Sequence, residues 1–159
     1  MKKISLTIAY RLYSIDELSA ADVELIEEAR QATYRSYAPY SHFSVGAAVR
    51  LADGTLLSGS NQENVAYPSG LCAERTTLFY ANARYPELAV CTLAIAARGT
   101  DGNFLPQPIP PCGACRQVML EMQNRHHQPL RILLYGTEGV YELARVEDLL
   151  PLTFDETFL

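Results

Sequence analysis

Apolar residues recur along the chain at two spacings, and the switches between them mark out its elements. Ile4, Leu6, Ile8 and Tyr10 alternate with their neighbours, which predicts a short edge strand within 2–10. From Asp16 to about Tyr37 the spacing lengthens to three and four. Leu18, Val23, Leu25, Ile26, Ala29 and Thr33 form a stripe, and Glu24, Glu27, Glu28 and Arg30 supply a wet face, so this stretch reads as a helix. Ser19 or Asp22 is its candidate cap, and Pro39 stops it. Phe43 to Leu51 is strand-like, Asp53-Gly54 signals a hairpin, and Thr55 to Ser58 starts the return strand. A polar loop with Pro68 and Gly70 follows. Cys72 to about Ala83 reads as a second helix, with Leu78, Phe79 and Ala81 expected in the core.

The second half of the chain has longer apolar runs. Val90 to Ala97 is almost continuously apolar, as in a strand buried on both faces. Gly99 to Pro111 is a loop with four prolines. Cys112 to about His126 reads as a third helix, with Val118, Met119 and Met122 inward. Leu130 to Tyr135 is another buried-type strand, and Val140 to Val146 alternates like a last one. Glu147 to Leu150 predicts a helical turn before a tail containing Phe154 and Phe158. Strands alternating with helices argue for one layered α/β sheet, parallel where helices make the crossovers. There is no internal repeat and no linker that would split the 159 residues into domains.

Composition narrows the partners. Hydrophobic residues make up 48% and charged residues 19%, a globular rather than a disordered balance. Thirteen Lys and Arg against eighteen Asp and Glu leave a net charge of −5, which argues against a broad surface for nucleic acid. No apolar run approaches the roughly 20 residues that cross a bilayer, and no secretory leader is legible, so no membrane partner and a cytoplasmic location are expected. In that compartment four cysteines point to metal or catalysis before disulfides.

Three of those cysteines stand at the starts of two predicted helices, in Cys72-Ala73-Glu74-Arg75 and in Pro111-Cys112-Gly113-Ala114-Cys115-Arg116. Helix N-termini carry free N–H groups and the positive dipole end, which favour thiolate, the form that binds metal. A strand–helix–strand path can bring two such ends together at one edge of a sheet. Three thiolates on Zn²⁺ leave a fourth tetrahedral position open, as catalytic sites do. The set is then net −1, and Arg75 and Arg116, each next to a ligand in its helix, are candidates to offset it by hydrogen bonds to sulfur. Glu74 is the candidate proton carrier beside that open position.

This pattern resembles the zinc nucleoside deaminases in their three-cysteine version, and most closely the small homotetrameric cytidine deaminases. The resemblance covers about residues 16 to 154 and extends to Pro39–Ala48, to Gly59–Asn64 and to Leu149–Phe154. It implies a single three-layer α/β/α domain over 1–159, with a mixed, mostly parallel five-stranded sheet and residues 1–15 as an N-terminal extension. It implies one zinc on Cys72, Cys112 and Cys115 with water fourth. Glu74 would move protons from that water to the ring and to the departing amine. Asn61 and Glu63 would hold a ribose hydroxyl, Phe43 would pack beside the nucleoside, and the Ala73 N–H would meet the base carbonyl. Phe154 would stack on the pyrimidine in a neighbouring subunit, with Tyr67 near that contact. The expected activity is conversion of free cytidine and deoxycytidine to the uracil nucleosides in pyrimidine salvage.

Other readings of the same residues stay open at this point. Cys112-Gly-Ala-Cys115 alone suits a thiol–disulfide oxidoreductase as well as a metal, whereas the third cysteine and the adjacent acid favour metal. Another cytosine nucleoside, such as a blasticidin-type antibiotic, is the alternative substrate. A closed, purely structural zinc site would require a fourth protein ligand. Cys91, inside an apolar run, reads as a core residue, and His126 and His127 as solvated residues at a helix end. His42 reads as a surface residue, and Tyr34, Tyr37 and Tyr40 as packing on the first helix.

Overall fold

Alternation along the second strand decides how the layers form. The computed structural model describes all 159 residues. Its helices are α1 (Ala20–Ala32), α2 (Ala73–Arg84) and α3 (Gly113–Arg125). Its strands are β1 (Arg11–Tyr13), β2 (Ser44–Leu51), β3 (Leu56–Ser60), β4 (Val90–Arg98), β5 (Arg131–Gly136) and β6 (Gly139–Leu143). Ala47, Val49 and Leu51 of β2 join Leu93, Ile95, Ile132 and Leu134 in a core under α2 and α3. Ala48, between them, joins Ala94, Ala96, Leu133 and Val140 under Leu25, Ile26 and Ala29 of α1. One face therefore carries α1 and the other carries α2 and α3, which gives the expected three layers. The run of β4 is buried on both faces, as its sequence predicts.

The sheet is mixed as expected, but it has six strands, not five, and is not mostly parallel; its order is β1-β6-β5-β4-β2-β3. Strands β1, β3, β4 and β5 run one way, but β4–β5 is the sole parallel neighbour pair. The crossover through α2 carries the chain from β3 over β2 to β4, so β2 intervenes between strands of like direction. The crossover through α3 joins true neighbours. Both helices thereby start at the same edge of the sheet, beyond the C-terminal ends of β3 and β4, where ligand crevices form in such sheets.

Local chemistry sets the boundaries. Ser19 is the N-cap of α1, accepting a hydrogen bond from the Asp22 N–H at 3.1 Å; Asp22 itself lies inside the first turn. Gly54 takes φ +90° in the β2–β3 turn, where the Asp53 carboxylate accepts from the Thr55 N–H at 2.9 Å. Gly46 lets α1 close on β2, because a Cβ there would collide with the Ala29 carbonyl oxygen.

Three expectations are corrected. The strand expected within 2–10 does not form there; the paired residues are 11–13, and the chain before them has no strand to lie against. The single helix expected over 16–37 is α1 flanked by short 3₁₀ turns at Ile15–Glu17 and Thr33–Arg35. Phe79, expected in the core, is 44% exposed on the outer face of α2, while Leu78 and Ala81 are buried. Neighbouring helix positions differ by about 100° of rotation, and here Leu78 takes the core-facing position while Phe79 turns outward.

Candidate metal centre and cleft

Cys72 and Cys112 occupy equivalent places in the fold, as N-caps of α2 and α3. Both have extended backbone, and neither sulfur caps its own helix, so both turn away from the helix axis. Cys115, one turn into α3, is fully buried, and Cys112 is exposed. The Cys72 and Cys112 sulfurs stand 3.8 Å apart, those of Cys112 and Cys115 3.4 Å, and all three lie within 4.8 Å of one another. Four ligands at about 2.3 Å around zinc stand about 3.8 Å from each other, so this donor set matches a tetrahedral zinc with one corner free. No further His, Cys, Asp or Glu joins the group.

The electrostatics suit thiolate. A hydrogen bond from Cys115 brings the Cys72 thiol down to about 5, with the Arg75 guanidinium, 3.8 Å from that sulfur, acting in the same direction. Cys115, the proton donor of the pair, is pushed up correspondingly, by Cys72 first and then by burial. Glu74, 5% exposed, has its carboxyl pushed up chiefly by burial and next by the neighbouring Cys72.

Arg116 does not serve as expected. Its Nε donates to the Pro111 carbonyl at 2.8 Å and its Nη1 to the Leu149 carbonyl at 2.7 Å. The side chain ties the loop before Cys112 to the C-terminal turn and reaches no sulfur. Cys91 lies at the other end of α3, beside Ala89 and Gln128, where burial pushes its thiol up.

A cleft of about 490 Å³ opens beside Cys72, lined by Arg75, Asn61, Glu63, Tyr40 and Tyr67 among others. The Asn61 Oδ1 accepts from the Val45 N–H at 2.8 Å, and its Nδ2 donates to the Phe43 carbonyl at 2.9 Å, so Asn61 braces the entry to β2. Glu63 accepts from the N–H groups of Tyr40 at 2.9 Å and Ser41 at 3.3 Å. The Ser41 hydroxyl and these amides hold its carboxylate below the ordinary range. Ala73 sits fully buried at the first position of α2, where an N–H has no acceptor within the helix. Phe43 is half-buried beside this loop. Phe154 is 61% exposed, stacked on Phe158 at 5.8 Å, with its carbonyl accepting from Gln117 of α3, and it does not line the cleft.

Sequence reasoning did not single out Tyr40 and Ser41 as part of the cleft. Tyr40 meets Tyr67 edge-on at 6.3 Å and joins Ser41 in fixing Glu63. Tyr40, expected to pack on the first helix, lines the cleft instead, and the clustered Tyr, Ser and His before a strand are the available signal.

The family model for the cytidine and deoxycytidylate deaminase zinc-binding region matches residues 19–128. A cytidine deaminase of Halalkalibacterium halodurans is 40% identical over 132 residues, 82% of this chain and 91% of that one. One from Sporosarcina psychrophila is 41% identical over 136 residues, 85% of this chain and 93% of that one. Among solved structures, the cytidine deaminase of Burkholderia pseudomallei superposes with a TM-score of 0.69 at 41% identity, covering 82% of this chain and 97% of that one.

Proposed function

We propose that this chain, which belongs to the zinc-binding cytidine and deoxycytidylate deaminase family, is a zinc-dependent hydrolase that converts free cytidine and deoxycytidine to uridine and deoxyuridine, releasing ammonia. The observation that carries this reading is the convergence of three sulfurs from two helix starts beside a buried Glu74. When bound, zinc supplies the Lewis acidity that makes a water acidic enough to add to a carbon at neutral pH. Cys72, Cys112 and Cys115 hold it, and Arg75 offsets part of their charge at the Cys72 sulfur.

Glu74 does the proton work. Its carboxylate accepts a proton from the attacking water and gives it to ring N3, then takes the proton of the new C4 hydroxyl as the carbonyl forms and gives it to the amine leaving C4. The Ala73 N–H donates to the base carbonyl. Asn61 and Glu63 bind a ribose hydroxyl from positions already braced, so little is lost in ordering them. Phe43 packs against the nucleoside. Phe154 reaches the site of a neighbouring copy, since its own ring lies off its own cleft. A homotetramer in the cytoplasm is the assembly and location this reading expects, with residues 1–159 acting as one domain.

The cleft favours a nucleoside over a nucleotide. Arg75 is the one cation in its lining, and that guanidinium faces Cys72. A phosphate subsite needs a free Arg or Lys. The test is zinc-loaded protein offered cytidine, deoxycytidine, deoxycytidylate and blasticidin, with ultraviolet absorbance following loss of the amine. Turnover of the first two is expected. No turnover of any, or a reducible Cys112–Cys115 disulfide in metal-free native protein, rejects the reading.

A further inference from the structure

Residues 2–10 have the sequence of a strand and no strand to pair with. In the register of β1 with β6, Arg11 faces Glu142 and Leu12 faces Tyr141, so Tyr10 comes next to Leu143, the last residue of β6. The chain before Tyr10 therefore overhangs the sheet. From that overhang into β1, Ile4, Leu6, Ile8, Tyr10 and Leu12 occupy every second position, which in an extended chain is one face. All five are exposed, from 77% for Ile4 to 49% for Ile8. Leu6 and Ile8 border a cavity of about 430 Å³ shared with Leu150, Leu152 and Phe158, and the last two are exposed as well. This segment lies outside residues 19–128, the part matched by the family model.

We propose that residues 3–9 form an antiparallel strand pair with the same residues of a second copy of this chain, about a twofold axis at Leu6. The sequence is self-complementary in that arrangement. Ile4-Ser5-Leu6-Thr7-Ile8 reads alike in both directions by residue class. Ile4 falls opposite Ile8, Ser5 opposite Thr7 and Leu6 opposite Leu6, which puts apolar against apolar and hydroxyl against hydroxyl. The only charged residues, Lys2 and Lys3, fall opposite Tyr10 and Ala9, so no like charges meet. Such a pair is isologous and closes on itself, and it covers the open strand edge that otherwise invites aggregation. The inference does not depend on the catalytic reading.

The experiment is position-resolved crosslinking of zinc-loaded full-length protein. Under mild oxidation Leu6→Cys should give covalent dimer at least about fivefold above Thr7→Cys. In the proposed pairing two copies of residue 7 are offset by two residues, about 6.6 Å along the strand, beyond disulfide reach. The unsubstituted protein, with its four cysteines, sets the background. Amide exchange at residues 4–8 should be slowed in the native chain and fast in Leu6→Lys, with cytidine turnover unchanged in that variant. Equal crosslinking at positions 6 and 7, crosslinking at background, or fast exchange in the native chain each overturns the proposal.

Discussion

Glu74 on α2 and Glu142 on β6 are both buried, 5% and 9% exposed, on opposite faces of the sheet. Their surroundings differ in one respect. Glu142 meets Arg131 and Arg11, each at 3.0 Å, and Arg131 also binds Asp22 of α1. Those acids anchor β1, β5 and α1 to each other. Glu74 has thiols for company, with the nearest guanidinium turned to Cys72. A buried acid held by a cation is fixed in one state and serves structure. A buried acid left without one keeps its proton exchangeable, which is what chemistry requires.

Substitutions that break this contrast should divide cleanly. Glu74→Gln should retain the fold and about one zinc per chain while cytidine turnover falls by at least about 10²-fold, read by steady-state kinetics and metal analysis. Near-native turnover would remove Glu74 from the proton path. Arg131→Met should do the reverse. It strands Asp22 and Glu142, costing about 1–3 kcal/mol in chemical denaturation once the partial exposure of Arg131 is allowed for, while turnover per folded molecule holds. A loss of turnover without loss of stability would show that the two faces are coupled.

The smallest effect concerns pH. Burial raises the Glu74 carboxyl in the folded chain, so its contribution to stability is full below the ordinary glutamate range and is lost as pH rises through the raised value. In metal-free protein the stability of Glu74→Gln relative to the native chain should therefore grow with pH. Denaturation curves at pH 4 and pH 7.5 check the sign (assay conditions chosen to bracket the range), and a difference that shrinks with pH would contradict it.

Much of this was legible along the chain. The two cysteine motifs each lie at a helix start, so spacing and capping chemistry identified the sulfurs and their acid. Alternation in β2 and the double-sided apolar run of β4 implied a sheet covered on both faces. What failed depended on contacts between distant segments. Arg116 looked equivalent to Arg75, each within one helical turn of a ligand, yet the Leu149 carbonyl captured it. Phe79 looked as apolar as Leu78, but only Leu78 is turned into the core. Residues 2–10 have strand character without a neighbour in their own subunit.

Periodicity, caps and ligand spacing are properties of short stretches, and the sequence by itself determined those: the helices, most of the strands, the three sulfurs and Glu74. Tertiary structure alone decided that β2 stands between β3 and β4, that β1 adds a sixth strand, and that one arginine serves the sulfur while another serves the backbone. Each of those outcomes is a competition among partners far apart in the chain, and proximity in space settles such competitions.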